Sequence, residues 1–354
     1  MNYIGSKYSL LSFLEESINT VIDGDCSVFC DLFAGTGIVG SHFKDKGYCI
    51  IANDIQYYSY VLNRHYIGNH TELEFEKLRI VIPGIEYSLN KSIFVCDYLS
   101  QLEGVEGFVF NNYCDGGTSR GKIQRQYFSD ENGKKCDAIR VTIEKWKNEG
   151  LINEDEYFFL LASLLESIDK YANTASVYGA FLKKLKKTAQ KTFKLEPAKL
   201  ITNDQEHQVY NEDINTLLKR ITGDVLYLDP PYNHRQYATN YHLLETIAKY
   251  DNPVIHGKTG LREYAKQKSL YCSRNKVKAA FKDLILNSNV KYIFLSYNNE
   301  GLLSLDEIKE IMSLRGKYGF FTKDYNRFKA DKDQNREYKS DRTLEYLHYV
   351  ICSK

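Results

Sequence analysis

The chain has 354 residues, of which 43% are hydrophobic, so it can form one large domain or two ordinary ones around a packed core. Its 47 Lys and Arg nearly balance 46 Asp and Glu, so attraction to nucleic acid must come from local charge clusters. No apolar run approaches the roughly 18 residues that span a bilayer, and the N-terminus lacks a secretory signal, so we expect a soluble, cytoplasmic protein without membrane contact. The eight cysteines include no CxxC pair, so no metal site is expected.

The first block of the chain, residues 1–98, alternates strand and helix patterns. The apolar runs SVFCDLF (27–33) and YCIIAND (48–54) end in polar turns, which is typical of buried parallel strands. Between them, IVGSHFKDKG has helical spacing and places Gly47 at a C-cap. These residues predict a strand–helix–strand unit.

The second block, residues 99–199, has no strand signal of comparable quality. Residues 111–135 are polar and Gly-rich, which predicts a loop. Residues 136–150 and 153–190 have helical patterns, the second starting at an Asn/Asp/Glu cap. We therefore predict a helical insertion.

The third block, residues 200–354, returns to strand patterns. GDVLYLDPPY (223–232) and VKYIFLSYNNEG (290–301) predict two strands, and residues 319–352 predict two more, joined by a long charged loop. The predicted fold class is therefore α/β, a Rossmann-like sheet with an inserted, mainly helical domain. The catalytic domain would comprise residues 1–98 and 200–354, and the insertion residues 99–199.

The motif DLFAGTG predicts a nucleotide-type site where the first strand turns into a helix. Gly35 and Gly37 permit a tight turn and let a ligand approach main-chain N–H groups, although a simple strand–helix turn is the competing interpretation. Asp54 ends the next strand, where a carboxylate can accept hydrogen bonds from two ribose hydroxyls. Since Gly40 falls outside the dinucleotide register, no pyrophosphate is indicated. S-adenosylmethionine, which has a ribose and adenine but no phosphate, fits better.

Asp213, in VYNEDINTLL, is a third candidate acid, and it has two interpretations. It follows an apparent strand end, so it can face a ligand. It also directly precedes a helical pattern, so it can be a helix N-cap. Both roles can hold at once.

The motif DPPY places a carboxylate, two prolines and an aromatic ring at the end of an apolar run. Asp229 and a proline carbonyl offer two acceptors to an amino group with two hydrogens, and Tyr232 offers a face on which a flat base can stack. Two such hydrogen bonds would free the lone pair of an exocyclic nitrogen, which could then attack an electrophilic methyl group. A Pro-Pro turn with a solvated Asp is the competing interpretation, and the upstream glycine motif weighs against it.

Together, DPPY and DLFAGTG resemble the motifs of S-adenosylmethionine-dependent amino-group DNA methyltransferases. Their order resembles that of the Dam-type subgroup, the alpha or D12 class of adenine-N6 enzymes. NYIGSK, NDI, the helical insertion, NED, FLSYNNEG and the terminal LEYLHYVI also follow in family order. The resemblance thus extends over nearly the whole chain, and it implies that the insertion is a target-recognition domain.

The resemblance also implies residue roles at the cofactor. Lys7 would meet the cofactor carboxylate, Asp54 its ribose and Asp213 its adenine amino group. The other residues implied in cofactor binding are Tyr3, Asp31, Phe33, Gly35, Thr36, Gly37, Ile55, Ile214 and Asp229.

At the reacting base, the resemblance implies that Asp229 and Pro230 bind the target nitrogen and that Tyr232 stacks on a flipped base. Pro231 completes this catalytic motif.

Base flipping demands an extensive grip on the DNA backbone, and three segments could provide it: residues 181–194, the polar loop, and residues 258–278, which have few acids and mix Lys and Arg with Tyr264 and Tyr271. Residues 181–194 contain six lysines and no acids, among them Lys183, Lys184, Lys186 and Lys187. Base edges could be read from the polar loop by Arg120, Lys122 and Arg125, and Arg235 follows the catalytic motif. A solvated surface is the competing interpretation of each charged segment.

The leading hypothesis is a site-specific adenine-N6 methyltransferase of double-stranded DNA, the modification partner of a restriction endonuclease that it need not contact. N4-cytosine methylation and an RNA substrate remain alternatives, since these amino groups pose the same chemical problem. A dinucleotide-dependent oxidoreductase would need a third glycine in register. A DNA-binding relative without activity would not be expected to retain Asp229 and Tyr232.

Overall fold

The computed structural model describes residues 3–326 and 342–353. The strands are β1 (Val28–Asp31), β2 (Cys49–Asn53), β3 (Gln208–Tyr210), β4 (Val225–Leu228), β5 (Ile255–His256), β6 (Leu261–Arg262), β7 (Tyr292–Asn298), β8 (Gly316–Asn326) and β9 (Arg342–Cys352). The helices are α1 (Leu11–Val21), α2 (Ile38–Asp45), α3 (Tyr57–Asn63), α4 (Lys91–Gln101), α5 (Phe108–Tyr113), α6 (Asp115–Thr118), α7 (Asp130–Asn148), α8 (Glu154–Tyr171), α9 (Ile214–Leu217), α10 (Tyr237–Asn240), α11 (His242–Lys249), α12 (Val277–Asn287) and α13 (Leu305–Ser313).

A seven-stranded sheet carries the strands predicted from the apolar runs, in the order β3-β2-β1-β4-β7-β9-β8. The first five of these strands are parallel, whereas β9 runs antiparallel between β7 and β8. The predicted α/β fold class, with its Rossmann-like sheet, is confirmed. The predicted pair of C-terminal strands corresponds to β8 and β9, and the predicted charged loop between them lies outside the described residues.

The central strands are buried because both sheet faces are covered. Every residue of β4 and β7 is buried, as the continuous apolar runs predict for internal parallel strands. In the register, Asp31 at the end of β1 lies opposite Tyr227 of β4 and Ala52 of β2. The carboxyl ends of β1, β2 and β4 therefore lie at one edge of the sheet, where open α/β sheets bind ligands.

The chain divides into two compact units. The sheet unit comprises Ile4–Asn63, Asn203–Ala238 and Ala265–Lys354, and it contains the seven-stranded sheet. The helical unit comprises Met1–Tyr3, Arg64–Thr202 and Thr239–Tyr264, and it contains α4 to α8. The helical unit thus includes more of the chain than the predicted insertion of residues 99–199, whose assignment to target recognition stays a prediction.

The predicted loop at 111–135 is wrong at both ends, because α5 extends to Tyr113, α6 covers Asp115–Thr118 and α7 covers the last residues of the segment. Helix α7 begins at Asp130, because the Ser129 side chain accepts a hydrogen bond from the Asn132 N–H and caps the helix. Acidic residues in the first turn, Asp130 and Glu131, also favour this start. The polar composition of the segment predicted a loop, although Ser129 is an N-cap that starts a helix.

The predicted helix at 153–190 begins as expected but ends early. Asn153 and Glu156 form a capping box at its start, and α8 ends at Tyr171. Beyond it, the buried Asn173 side chain donates to the carbonyls of Gln126 and Leu182 and accepts from the Lys186 N–H. These bonds satisfy the backbone of a non-helical segment, so the lysine-rich stretch has no helical face.

All eight cysteines carry free thiols. None of the helices in the described ranges, residues 3–326 and 342–353, is long and apolar enough to cross a membrane.

Candidate active site at the carboxyl edge of the sheet

The glycine turn after β1 is held by two acids. Asp31 ends the strand, and its Oδ2 accepts a hydrogen bond from the Gly40 N–H at 3.0 Å, which ties the strand to the first turn of α2. Asp54, which follows β2, accepts from the Gly35 N–H at 2.9 Å and from the Gln56 N–H at 2.8 Å. The two carboxylates therefore fix the backbone at two points, Gly35 in the turn and Gly40 in the first turn of α2.

The backbone of this turn requires glycine. Gly35 and Gly37 have φ values of +54° and +77°, in the left-handed region. A Cβ atom on Gly37 would lie 2.8 Å from Asn63 Oδ1, so a larger residue would displace that side chain. The Asn63 amide and the Ser59 hydroxyl donate to the Gly35 carbonyl, which directs that carbonyl toward α3.

Asp31 carries a buried polar atom that a ligand could satisfy. Its side chain is 1% exposed, and its Oδ1 has no hydrogen-bond partner among the described residues. Burial raises the pKa of Asp31 to about 7, with further contributions from Asp229 and Asp54, while the Gly40 N–H opposes the rise. An unsatisfied buried oxygen in a protein usually marks a missing donor.

The carboxyl end of β4 holds a charge cluster in which Lys7 and Glu345 are buried and the Asp229 side chain is 18% exposed. Lys7 Nζ lies 3.0 Å from Asp229 Oδ1 and 3.1 Å from Glu345 Oε1, and the Lys7 and Glu345 residues are each 4% exposed. Glu345 comes from β9, on the far side of β7 from β4. One ammonium group from the N-terminal segment thus lies between two carboxylates.

The cluster sets the protonation of its members. Burial raises the pKa of Asp229 to about 6; the Lys7 ammonium opposes this rise and the Glu345 carboxylate adds to it. Burial alone would lower the pKa of Lys7, but Asp229 and Glu345 together raise it well above its ordinary value. Lys7 therefore stays charged, and Asp229 is ionised above about pH 6.

The rest of the DPPY motif surrounds Asp229. Pro230 is buried, and Pro231 and Tyr232 are half-buried. The Tyr232 ring meets Tyr297 edge-on at 6.0 Å between centroids, and Lys7 Nζ lies 5.9 Å from its centroid. The Tyr232 carbonyl accepts from the Leu302 N–H, which fixes the loop after β4 against the segment after β7.

The N-terminal motif is fixed inside the sheet unit by Tyr237. The Tyr237 hydroxyl donates to the Ile4 carbonyl at 3.2 Å. Gly5 has a φ of +79°, and a Cβ there would lie 3.1 Å from the same hydroxyl. This contact directs the chain toward Lys7. Tyr3 belongs to the helical unit, where its ring stacks on Tyr241 at 4.7 Å.

Asp213 is a helix N-cap, one of its two predicted roles. Its side chain accepts from the Thr216 N–H at the start of α9, and its exposed position leaves a cofactor role open as a prediction. Ile214 is 5% exposed and packs in the core of the sheet unit.

Three other residues predicted in cofactor binding lie on or beside the glycine turn. Phe33, Thr36 and Ile55 are each half-buried. The Phe33 ring meets Tyr271 edge-on at 5.0 Å between centroids.

The predicted DNA-contact residues differ in how far they are engaged within the protein. Arg125 donates to the carbonyls of Asn112, Gly257 and Lys258, so its guanidinium holds a loop in place. Lys186 is half-buried and donates to the Thr174 carbonyl. The exposed members of the set are Arg120, Lys122, Lys183, Lys184, Lys187 and Arg235.

Glu345 is the site residue that sequence reasoning missed. It lies in the run LEYLHYVI, for which the sequence predicts a strand and a family motif but no site residue. The available signal was a carboxylate at an inward position of an otherwise apolar pattern, since Leu347 and the opposite Ser296 are also buried.

Comparison with known proteins shows the family to which the chain belongs. Residues 3–311 match the sequence profile of the D12 class N6 adenine-specific DNA methyltransferases. The chain belongs to this family and is an adenine-specific DNA methyltransferase.

Three relatives illustrate the similarity. The chain is 53% identical to the type II methyltransferase M.NlaIII of Neisseria lactamica over 99% of both proteins. It is 36% identical to the type II methyltransferase M.CviAII of Paramecium bursaria Chlorella virus 1, over 93% of both. It is 41% identical to the type II methyltransferase M.FokI of Planomicrobium okeanokoites, over 99% of this chain but 52% of that longer protein.

Proposed function

We propose that the protein transfers a methyl group from S-adenosylmethionine to the N6 amino group of adenine in duplex DNA, at a specific sequence and on a base flipped out of the helix. The observation that carries this proposal is the position of Asp229. It lies at the carboxyl end of β4 beside β1, and its charge raises the pKa of Asp31 in the glycine turn. A base acceptor and a cofactor turn therefore lie within electrostatic reach of each other.

The residues of the turn fit S-adenosylmethionine, which supplies an electrophilic methyl group when bound. Asp31 offers a buried oxygen without a partner, and Asp54 has acceptor capacity beyond the two N–H groups it already binds. Phe33 and Ile55 offer half-buried apolar surface for an adenine ring. Lys7 is engaged by two carboxylates, so its predicted contact with the cofactor carboxylate would require the ammonium to be shared.

At the base, Asp229 and the Pro230 carbonyl would accept the two amino hydrogens. Pro230 has no N–H of its own, so its carbonyl has no neighbouring donor from the same residue. Acceptors held off the ring plane favour a more tetrahedral nitrogen with an available lone pair. Tyr232, fixed by its contact with Tyr297, would stack on the base, and Pro231 would keep the loop rigid.

The DNA grip would come from exposed basic residues. Lys183, Lys184 and Lys187 are exposed and would contact phosphates, while Arg120 and Lys122 in the exposed turn could read base edges. Residues 99–199 would serve as the target-recognition domain. Since relatives such as M.NlaIII are named type II methyltransferases, we place the protein in a restriction system with a cognate endonuclease. It would act in the cytoplasm, on the DNA of the cell.

Incubation of duplex DNA with the enzyme and S-adenosylmethionine, followed by mass spectrometry of the nucleosides, tests the proposal. We expect N6-methyladenine, and single-molecule sequencing should place it in one sequence context. N4-methylcytosine as the product, or methylation of RNA in preference to DNA, would contradict it. Asp229→Ala should abolish product formation while calorimetry still detects cofactor binding.

A further inference from the structure

The cluster of Lys7, Asp229 and Glu345 indicates a role for Glu345, a residue to which the sequence motifs assign none. Strands β4 and β9 are separated by β7, so Asp229, which follows β4, and Glu345 of β9 come from strands that are not neighbours in the sheet. Tyr227 lies opposite Phe294 of β7, and Glu345 lies opposite Asn298 of the same strand. Because side chains alternate between the two faces of a sheet, Tyr227 and Glu345 lie on the same face. Asp229 is two residues after Tyr227 and so continues on that face. Lys7 bridges them on that face.

We propose that Glu345 is a positioning residue for methyl transfer. Its carboxylate holds the Lys7 ammonium beside Asp229, where the positive charge of Lys7 favours the ionised form of Asp229. Because Glu345 is a second counter-ion, Lys7 does not pair with Asp229 alone. This inference rests on the proposed function of Asp229.

Lys7 and the target amino group would compete for the Asp229 carboxylate. An ammonium group with a single buried counter-ion pairs tightly with it, and the paired carboxylate is a weaker acceptor for a neutral amino group. A second carboxylate, Glu345 at 3.1 Å, shares the electrostatic interaction with Lys7 and fixes the position of its ammonium group. Removal of Lys7 would instead favour protonated Asp229, because burial and Glu345 would raise the pKa of Asp229 with no ammonium group to lower it.

Other groups that face Asp229 do not replace Glu345. Asp31 at the end of β1 interacts with it at longer range, and Tyr227 donates its hydroxyl to Ser296. Tyr232, on the same loop, lies near Lys7. Glu345 is the second carboxylate that contacts Lys7, at 3.1 Å from its Nζ.

The test compares Glu345→Gln with wild type in single-turnover methylation across pH. The glutamine retains an oxygen for Lys7 but lacks the charge. We expect the plateau rate to fall about tenfold, and the acid limb of the profile to move to lower pH by on the order of 0.5–1 pH unit because a nearby negative charge is lost. A merely structural role would lower the rate without moving the limb.

The matched control is Glu245→Gln in the helical unit. Glu245 is also buried and lies 2.7 Å from a lysine, Lys249, but it is outside the sheet unit that holds the site. In this control variant the acid limb of the pH–rate profile should lie at the wild-type pH. A Glu345→Gln enzyme with the wild-type limb and plateau would overturn the inference.

A double-variant cycle gives an independent readout. If Glu345 acts through Lys7, adding Glu345→Gln to Lys7→Met should leave the residual rate unchanged or raise it, because a charge that disfavours ionised Asp229 is removed. Additive losses would overturn the inference. Wild-type enzyme that forms no N6-methyladenine in the same assay would instead contradict the proposed function. Should Glu345→Gln fold poorly, Glu345→Asp retracts the charge, and an unchanged plateau rate there would also overturn the inference.

Discussion

The carboxyl edge of the sheet and the lysine-rich segment 181–194 use charge in different ways. At the sheet edge, Lys7 and Glu345 are buried and fixed at about 3 Å, so their charges act on Asp229 at low effective dielectric. In the segment, Lys183, Lys184 and Lys187 are exposed, so salt screens them.

The difference in burial should separate residues that affect the methyl-transfer step from residues that affect DNA binding. Displacing a buried charge should change the rate of reaction and its pH dependence, whereas removing an exposed charge should change DNA affinity and its salt dependence. The two regions can therefore be distinguished by the quantity that responds to substitution.

The largest expected effect is that of Asp229→Asn. It removes the charged acceptor at β4 but keeps the shape, so single-turnover methylation should fall about 10³-fold. Calorimetry should give a cofactor affinity close to that of wild type, because the glycine turn is held by other residues. A rate near the wild-type value would place the chemistry elsewhere.

Asp54→Ala should weaken cofactor binding rather than the chemical step. The substitution removes the acceptor for the Gly35 N–H and a candidate acceptor for ribose hydroxyls. Loss of hydrogen bonds to a charged group should raise the Kd for S-adenosylmethionine by about 10–100-fold. Ser304→Ala, which removes the α13 cap in the same unit, is the comparison and should leave the Kd unchanged. An unchanged Kd for Asp54→Ala as well would mean that Asp54 has no cofactor role.

Local chemistry could be predicted from the sequence, but contacts between distant segments could not. The position of Gly35, Asp54 and Asp229 at the ligand edge could be predicted because each follows an apolar run that forms a parallel strand. Glu345 was missed because its contact with Lys7 depends on β9 inserting antiparallel between β7 and β8. No spacing in the chain indicates that order. The loop predicted before α7 failed for another reason, since one cap at Ser129 outweighed the polar composition.

The triple variant Lys183→Ala, Lys184→Ala and Lys187→Ala tests the segment. If these lysines contact phosphates, the slope of log K against log salt should decrease by about 3, and DNA affinity should fall about tenfold at physiological salt. The rate of the bound complex should change little. Fluorescence anisotropy with labelled duplex DNA at several salt concentrations measures the slope.

Lys186→Ala is the control for that variant. Its ammonium donates to the Thr174 carbonyl, so the substitution should lower the melting temperature rather than the salt slope. Equal slopes for the triple variant and wild type would show that the exposed lysines do not bind DNA.

The smallest expected effect concerns stability at the sheet edge. Because burial raises the pKa of Asp31 from 3.8 to about 7, its protonated form favours the folded state, and this contribution is lost as pH rises through about 7. Asp31→Asn keeps an acceptor for the Gly40 N–H and cannot ionise. We expect the variant to melt about 2–4 °C higher than wild type at pH 8, with a flatter dependence of Tm on pH.

Asp137→Asn in the helical unit sharpens this last prediction. Asp137 is also buried, and burial raises its pKa, but both of its oxygens are engaged: Oδ1 accepts from the Val109 N–H and the Tyr250 hydroxyl, and Oδ2 from the Phe110 N–H. An amide NH₂ cannot accept on the second side, so this variant should melt lower at every pH. Asp31 differs because its Oδ1 has no partner in the described residues. If Asp31→Asn instead lowers the melting temperature at every pH, as expected for Asp137→Asn, then Asp31 Oδ1 has a hydrogen-bond partner in the free enzyme. It would then not be available to a ligand.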